Sequence, residues 1–157
     1  MHSGHLTRAI LLPFMAAVAG YLTYVPDLYH FFDGVSHPDW SVSAQTWRNV
    51  GFAYYLLMMV LLYQLTTTCD PKFPTVFWLL VFLLVFEEFW GYQLFSKQAF
   101  TFAVVGAGIQ LAVALVIPFF LYKIKKWWLF LFIPIMLWIG LYQFWWTYGI
   151  WSLTEGY

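Results

Sequence analysis

Apolar residues in this chain come in long runs, broken by short polar stretches. The runs cover 9–32, 50–65, 73–95, 100–122 and 127–151. Each is close to the roughly 17–25 residues that a helix needs to cross a bilayer. The apolar character continues all round each run, without the ten-residue alternation of a barrel strand. Backbone groups in lipid must find partners within their own segment, so the runs predict helices. The pattern therefore predicts an all-α integral membrane bundle of five transmembrane helices, forming one domain over 1–157.

The connections differ in length. Residues 66–72 read Thr-Thr-Thr-Cys-Asp-Pro-Lys, a polar breaker, while 96–99 and 123–126 predict tight hairpins. The first connection, 33–48, is long and holds Gly34, Pro38, Trp40 and Trp47, which predicts a lid over one end of the bundle. The run over 9–25 is longer than most signal-peptide cores and lacks a small-residue cleavage site, so it reads as a span.

Composition narrows the class further. Hydrophobic residues make up 63% of the 157 positions and charged residues 9%, against about 25% charged in soluble domains. So few charges cannot cover a soluble surface, and seven basic residues against seven acidic leave no excess for nucleic-acid phosphates. Cys69 is the one cysteine, which excludes an intrachain disulfide or a CxxC pair. Lys and Arg counts predict the orientation: Arg8, Lys72, Lys123, Lys125 and Lys126 fall on one side and Arg48 and Lys97 on the other. The positive-inside rule then puts the N-terminus in the cytoplasm and the C-terminus outside.

Two acids break the third run. Glu87 and Glu88 stand about two-thirds of the way along it, and an ionisable residue inside a span is a functional candidate by default. Adjacent helical residues point about 100° apart, so the pair is expected to meet different partners. One reading is a neutral glutamate hydrogen-bonded across helices; others are a ligand, proton or metal role. His30, His37 and the nearby acids Asp27, Asp33 and Asp39 gather at the same membrane face as the end of this run. His with carboxylate suits Zn, Cu or non-haem Fe, which makes His30, His37, Glu87 and Glu88 an alternative metal set, although no HxxxH or ExxH spacing fixes them on one helix.

Much of the aromatic stock fits interfacial belts, as at Trp127, Trp128, Trp145, Trp146, Tyr148 and Trp151. Trp90 and Trp138 lie mid-run and fit a flat-walled pocket for a planar ligand instead. The fourth run carries Ala99, Ala103 and Ala107 with Gly106 and Gly108, a small-residue stripe suited to internal packing or a homodimer seam. No phosphate loop, GxSxG or HExxH motif is present, which favours binding over catalysis.

Three elements resemble the tryptophan-rich sensory protein / translocator protein family, TspO. Pro38-Asp39-Trp40 is followed by Tyr54-Tyr55-Leu56-Leu57-Met58, similar to the family's Pro-x-Trp loop and its Leu-Tyr-x-Leu-Met-like element. The stretch from Phe86 to Phe95 resembles Leu-Asn-x-x-Trp-x-x-x-Phe-Phe, with Glu87 in the Asn place, and Pro134 and Trp138 match the ends of Pro-Tyr-Leu-x-Trp. Val42 and Ser43 replace the family's double proline, Gly51 stands at an expected tryptophan, and the late asparagines of the fifth helix are missing. The resemblance implies a five-helix bundle whose first loop lids a pocket for a porphyrin or sterol-like ligand. It implies ligand contacts at Trp40, Tyr55, Glu87, Trp90 and Trp138. Porphyrin, haem or lipid are the candidate bound groups; apart from the resemblance, membrane lipid and a homodimer or larger membrane complex are the expected partners. The short loops and apolar exterior support an alternative, an accessory subunit of a larger respiratory, photosynthetic or monooxygenase-type membrane complex; a metal-bearing enzyme subunit is a second.

Overall fold

The computed structural model describes residues 3–67 and 73–155, apart from the side chains of residues 3–6 and 8. Cys69, Asp70, Lys72 and His2 lie outside the described residues, as do the side chains of His5 and Arg8. The described chain is helical, with no strand among the described residues. In order it forms α1 (Ser3–Thr23), α2 (Val25–Gly34), α3 (Ala44–Thr66), α4 (Phe73–Gly91), a π-helical segment (Tyr92–Ser96), α5 (Phe100–Ile124), α6 (Trp128–Ile135), a second π-helical segment (Met136–Gln143) and α7 (Phe144–Thr154).

Four continuous helical stretches are long and apolar enough to cross a membrane: Ala44–Thr66, Phe73–Ser96, Phe100–Ile124 and Trp128–Thr154. A bent pair, Ala9–Thr23 with Val25–Gly34, makes a fifth when its two halves are counted as one span. Only about a third of each long stretch is buried (28–33%), so most of each helix surface faces outward. That outer surface carries Phe14, Leu22, Trp78, Val85, Phe102, Phe119 and Phe130, an exterior made for lipid. At one end Lys123 lies 3.9 Å from the Phe119 ring centroid and Lys126 5.0 Å from that of Tyr122. Such pairs let a long apolar stem lie along the hydrocarbon while the ammonium reaches the interface.

The first span is broken, with 51° between its halves. Pro26 has no N–H to give to the carbonyl four residues back, and the Asp27 N–H turns to Tyr24 O at 3.0 Å. The Thr23 carbonyl left over is taken by Ser96 Oγ at 3.0 Å. The break thus sits against the end of the third span and is held by it. Tyr24 fills the corner: a β-carbon at Gly91 would lie 2.7 Å from its ring, so only glycine permits this approach.

Helix α3 begins at Ala44, six residues before the expected 50, because Ser43 caps it by accepting from the Thr46 N–H at 3.2 Å. The connecting loop is therefore short, 35–43, and it is pinned to the end of the fifth span. The Val42 N–H donates to Tyr142 Oη at 2.8 Å, Trp146 Nε1 donates to Ser41 Oγ, and Pro38 lies on Gly149, where a β-carbon would meet its ring at 2.5 Å. The 96–99 hairpin closes through Gln98 in the left-handed region (φ 51°). On α5 the small-residue stripe is used inside the chain: Ala103 and Ala107 are buried, and Gly106 faces Trp90.

The core is layered along the membrane normal. One end is mainly aliphatic, around Met58, Leu61, Leu65, Leu80, Leu83, Ile117 and Phe132. The other end is aromatic, around Phe31, Trp47, Trp90, Phe95 and Trp146. On α4 the aliphatic block ends at Leu84 and the aromatic one begins at Trp90, leaving Glu87 and Glu88 between. On α5 Gln110 falls between Ala107 and Ala114, and on the fifth span Gln143 falls between Ile139 and Trp146. A thin polar layer thus separates two apolar cores.

Candidate functional site

The two glutamates use that layer differently, as their 100° separation requires. Glu87 Oε2 accepts from Gln110 Nε2 at 2.7 Å and from Gln143 Nε2 at 2.9 Å. Gln143 Nε2 also donates to Gln110 Oε1 at 2.9 Å, so three helical stretches close a small ring of polar groups. Glu88 turns toward α3, where the Tyr55 hydroxyl donates to its Oε1, while its Oε2 is buried without a hydrogen-bond partner. The second π-helical segment brings Gln143 into this layer. One extra residue per turn there shifts the face that follows, so Trp138, Tyr142, Gln143 and Trp146 all reach the bundle interior or its loop contact.

Beside the layer lies a cavity of about 220 Å³ between the broken first span and α3. The kinked side supplies Ala17, Tyr21, Tyr24, Val25 and Leu28. Helix α3 supplies Trp47, Arg48, Gly51, Phe52, Tyr54 and Tyr55, a helical stripe in which residues three and four apart fall on one face. Glu87 and Trp138 complete the wall. The rim is outward-facing, since Tyr21 and Phe52 are 67% and 65% exposed, so the cavity opens sideways between two membrane-crossing elements. No residue of the 35–43 loop lines it.

Most of this wall is apolar, with polar groups at two levels. Deeper in, Glu87 is the charged group of the wall, and the hydroxyl of the lining residue Tyr54 is buried with no hydrogen-bond partner. Glu87 receives both of its hydrogen bonds on Oε2, leaving Oε1 without a protein donor. At the rim stands Arg48. Gly51 keeps the space between open: a β-carbon there would meet nothing within 4 Å. The position where the TspO pattern expects tryptophan is thus the one that leaves room.

Of the residues named from sequence, Tyr55, Glu87 and Trp138 line the cavity. Trp90 does not; it is buried below, with Nε1 donating to Ala103 O at 2.9 Å. Trp40 is 52% exposed and sits edge-on to Tyr142, with centroids 5.6 Å apart. The alternative metal set is not brought together. His30 is exposed on α2, and His37 is held in the loop with Nδ1 2.8 Å from Val35 O. The glutamates point to different helices, and no group of three or more His, Cys, Asp or Glu side chains suited to a metal occurs among the described residues.

Sequence reasoning missed Trp47, Arg48, Tyr24 and Tyr54. The first two fall in the connection expected over 33–48; Ser43 as a cap, followed by Trp47, Gly51, Tyr54 and Met58 at helical spacing, is the signal that puts them on a helix. No protein-family profile, no curated protein and no solved structure matches this chain.

Proposed function

We propose that this chain is a small membrane receptor of TspO type that binds a flat, largely apolar molecule of porphyrin or sterol shape in the cleft between its first span and α3. The observation that carries the reading is the cavity itself, a mostly aromatic cleft of about 220 Å³ with Glu87 in its wall. Aromatic walls supply shape and stacking, and Glu87 Oε1 supplies an acceptor for a ring N–H or a hydroxyl. The cavity holds part of such a molecule, and the remainder lies along Tyr21 and Phe52 toward the lipid.

Titrating detergent-solubilised protein with protoporphyrin IX is expected to quench tryptophan fluorescence saturably at micromolar ligand, because Trp47 and Trp138 stand in the wall. Trp138→Phe weakens the quenching. Gly51→Phe fills the open space and abolishes it without unfolding the bundle. Unsaturable quenching, or equal saturation in Gly51→Phe, removes the reading.

The cavity rim then lies toward the outer face of the membrane, because the Lys and Arg count places Arg48 and Lys97 opposite Arg8, Lys72, Lys123, Lys125 and Lys126. Alkaline phosphatase fused after Tyr157 is expected to be active in a bacterial host, and an inactive but expressed fusion reverses the orientation.

A further inference from the structure

We propose that the bound molecule carries a carboxylate and that Arg48 receives it at the cavity rim; this rests on the binding reading above. Arg48 lines the cavity from the second turn of α3 and is exposed to whatever enters. It makes one hydrogen bond, Nη2 to Gln45 Oε1 at 2.9 Å, to a neutral side chain. No ion pair to a carboxylate is formed by Arg48 among the described residues. The acids within the bundle are committed elsewhere, Glu87 to two glutamines and Glu88 to Tyr55. A guanidinium has five N–H donors in a planar fork, so most of its donor capacity faces the opening unspent.

Position sharpens the point. Arg48 and Tyr55 are seven residues apart on one helix, a rise of about 10 Å. A ligand that places a donor at Glu87 therefore has its opposite edge toward the guanidinium. An oxyanion there forms two parallel charge-assisted bonds. Lipid phosphate offers the same oxyanion chemistry at a membrane surface. The location of Arg48 in the cavity wall, in one stripe with Gly51 and Tyr55, favours an anion belonging to the cavity's occupant.

The test compares protoporphyrin IX with its dimethyl ester, which keeps the ring and removes both charges, in a neutral detergent free of phospholipid. The expected result is about ten- to a hundredfold tighter binding of the acid, the range for a hydrogen-bonded charge. In Arg48→Gln that preference disappears, and in Arg48→Lys part of it returns. Equal binding of acid and ester by the natural chain overturns the proposal and leaves the binding reading standing. So does an acid preference that persists in Arg48→Gln. If added phosphatidylglycerol removes the preference at equimolar amounts, the site belongs to lipid phosphate and the carboxylate assignment falls. If neither probe binds, the cavity reading fails and this inference fails with it. Thermal unfolding of Arg48→Gln, expected to match the natural chain, separates a lost contact from a lost fold.

Discussion

Replacing Trp47 by alanine is expected to lower the stability of the folded bundle by about 3–5 kcal/mol, the range for removing a large buried aromatic side chain. Trp47 is 6% exposed and sits at the junction of the aromatic core. Its ring centroid lies 4.4 Å from that of Trp146, 5.0 Å from Trp138, 5.8 Å from Phe95 and 6.1 Å from Trp90. Those partners belong to α7, both π-helical segments and α4, so one side chain ties α3 to four other elements of the fold. Between membrane helices the association rests on close packing and not on exclusion of water. A void at this junction therefore forfeits contacts that lipid cannot replace. Near-ultraviolet circular dichroism during heating in detergent reads the loss, expected as a midpoint roughly 10 °C lower. Trp40→Ala serves as the comparison, being half-exposed on Tyr142, and is expected to shift the midpoint little. A Trp47→Ala protein that melts with the natural chain would remove Trp47 from its place at the centre of the core. The same variant also loses a cavity wall, so its porphyrin quenching is expected to fall even below its melting point.

The bundle itself is legible in the sequence because length and hydropathy are enough: runs near twenty apolar residues leave helices as the one open-ended solution in lipid. The details that build the site come from rules that hydropathy does not carry. The polar stretch Gln45-Thr46-Trp47-Arg48-Asn49 reads as loop on hydropathy and is helix because of the Ser43 cap. The first run is helical on both sides of Pro26, bent at Tyr24, and residues of both halves line the cavity. The π-helical segments leave no periodic trace, since each re-aims a few residues by one position, and Gln143 is drawn inward as a result. The separation of Glu87 from Glu88 followed from helix geometry alone, whereas their glutamine and tyrosine partners lie 23, 56 and 33 residues away and required the fold. Pro38-Asp39-Trp40 matched a lid motif, yet the loop spends its contacts on α7 and Tyr142, and the cavity is walled by helices.

Glu87 supplies the second large effect, and its size depends on what replaces it. In Glu87→Leu the Gln110 amide loses the acceptor at 2.7 Å and Gln143 loses one at 2.9 Å. Both glutamines are fully buried, so neither finds water instead. Each unpaired buried group costs about 1–3 kcal/mol, for a combined loss of about 2–5 kcal/mol. Glu87→Gln keeps a carbonyl oxygen where Oε2 accepts from the two glutamines. Its stability is therefore expected within about 1 kcal/mol of the natural chain. The decisive comparison is the double variant Glu87→Leu with Gln110→Leu. The double variant no longer orphans the Gln110 amide, although Gln143 Nε2 then loses both of its acceptors, so the double loss is expected to fall short of the sum of the singles by about 1–2 kcal/mol. Strict additivity would mean that these side chains do not share a bond. A Glu87→Gln protein as unstable as Glu87→Leu would mean that the site requires the carboxylate itself and not merely an acceptor, and the polar layer would then be a charge-holding device and not a hydrogen-bonded seam between two apolar cores.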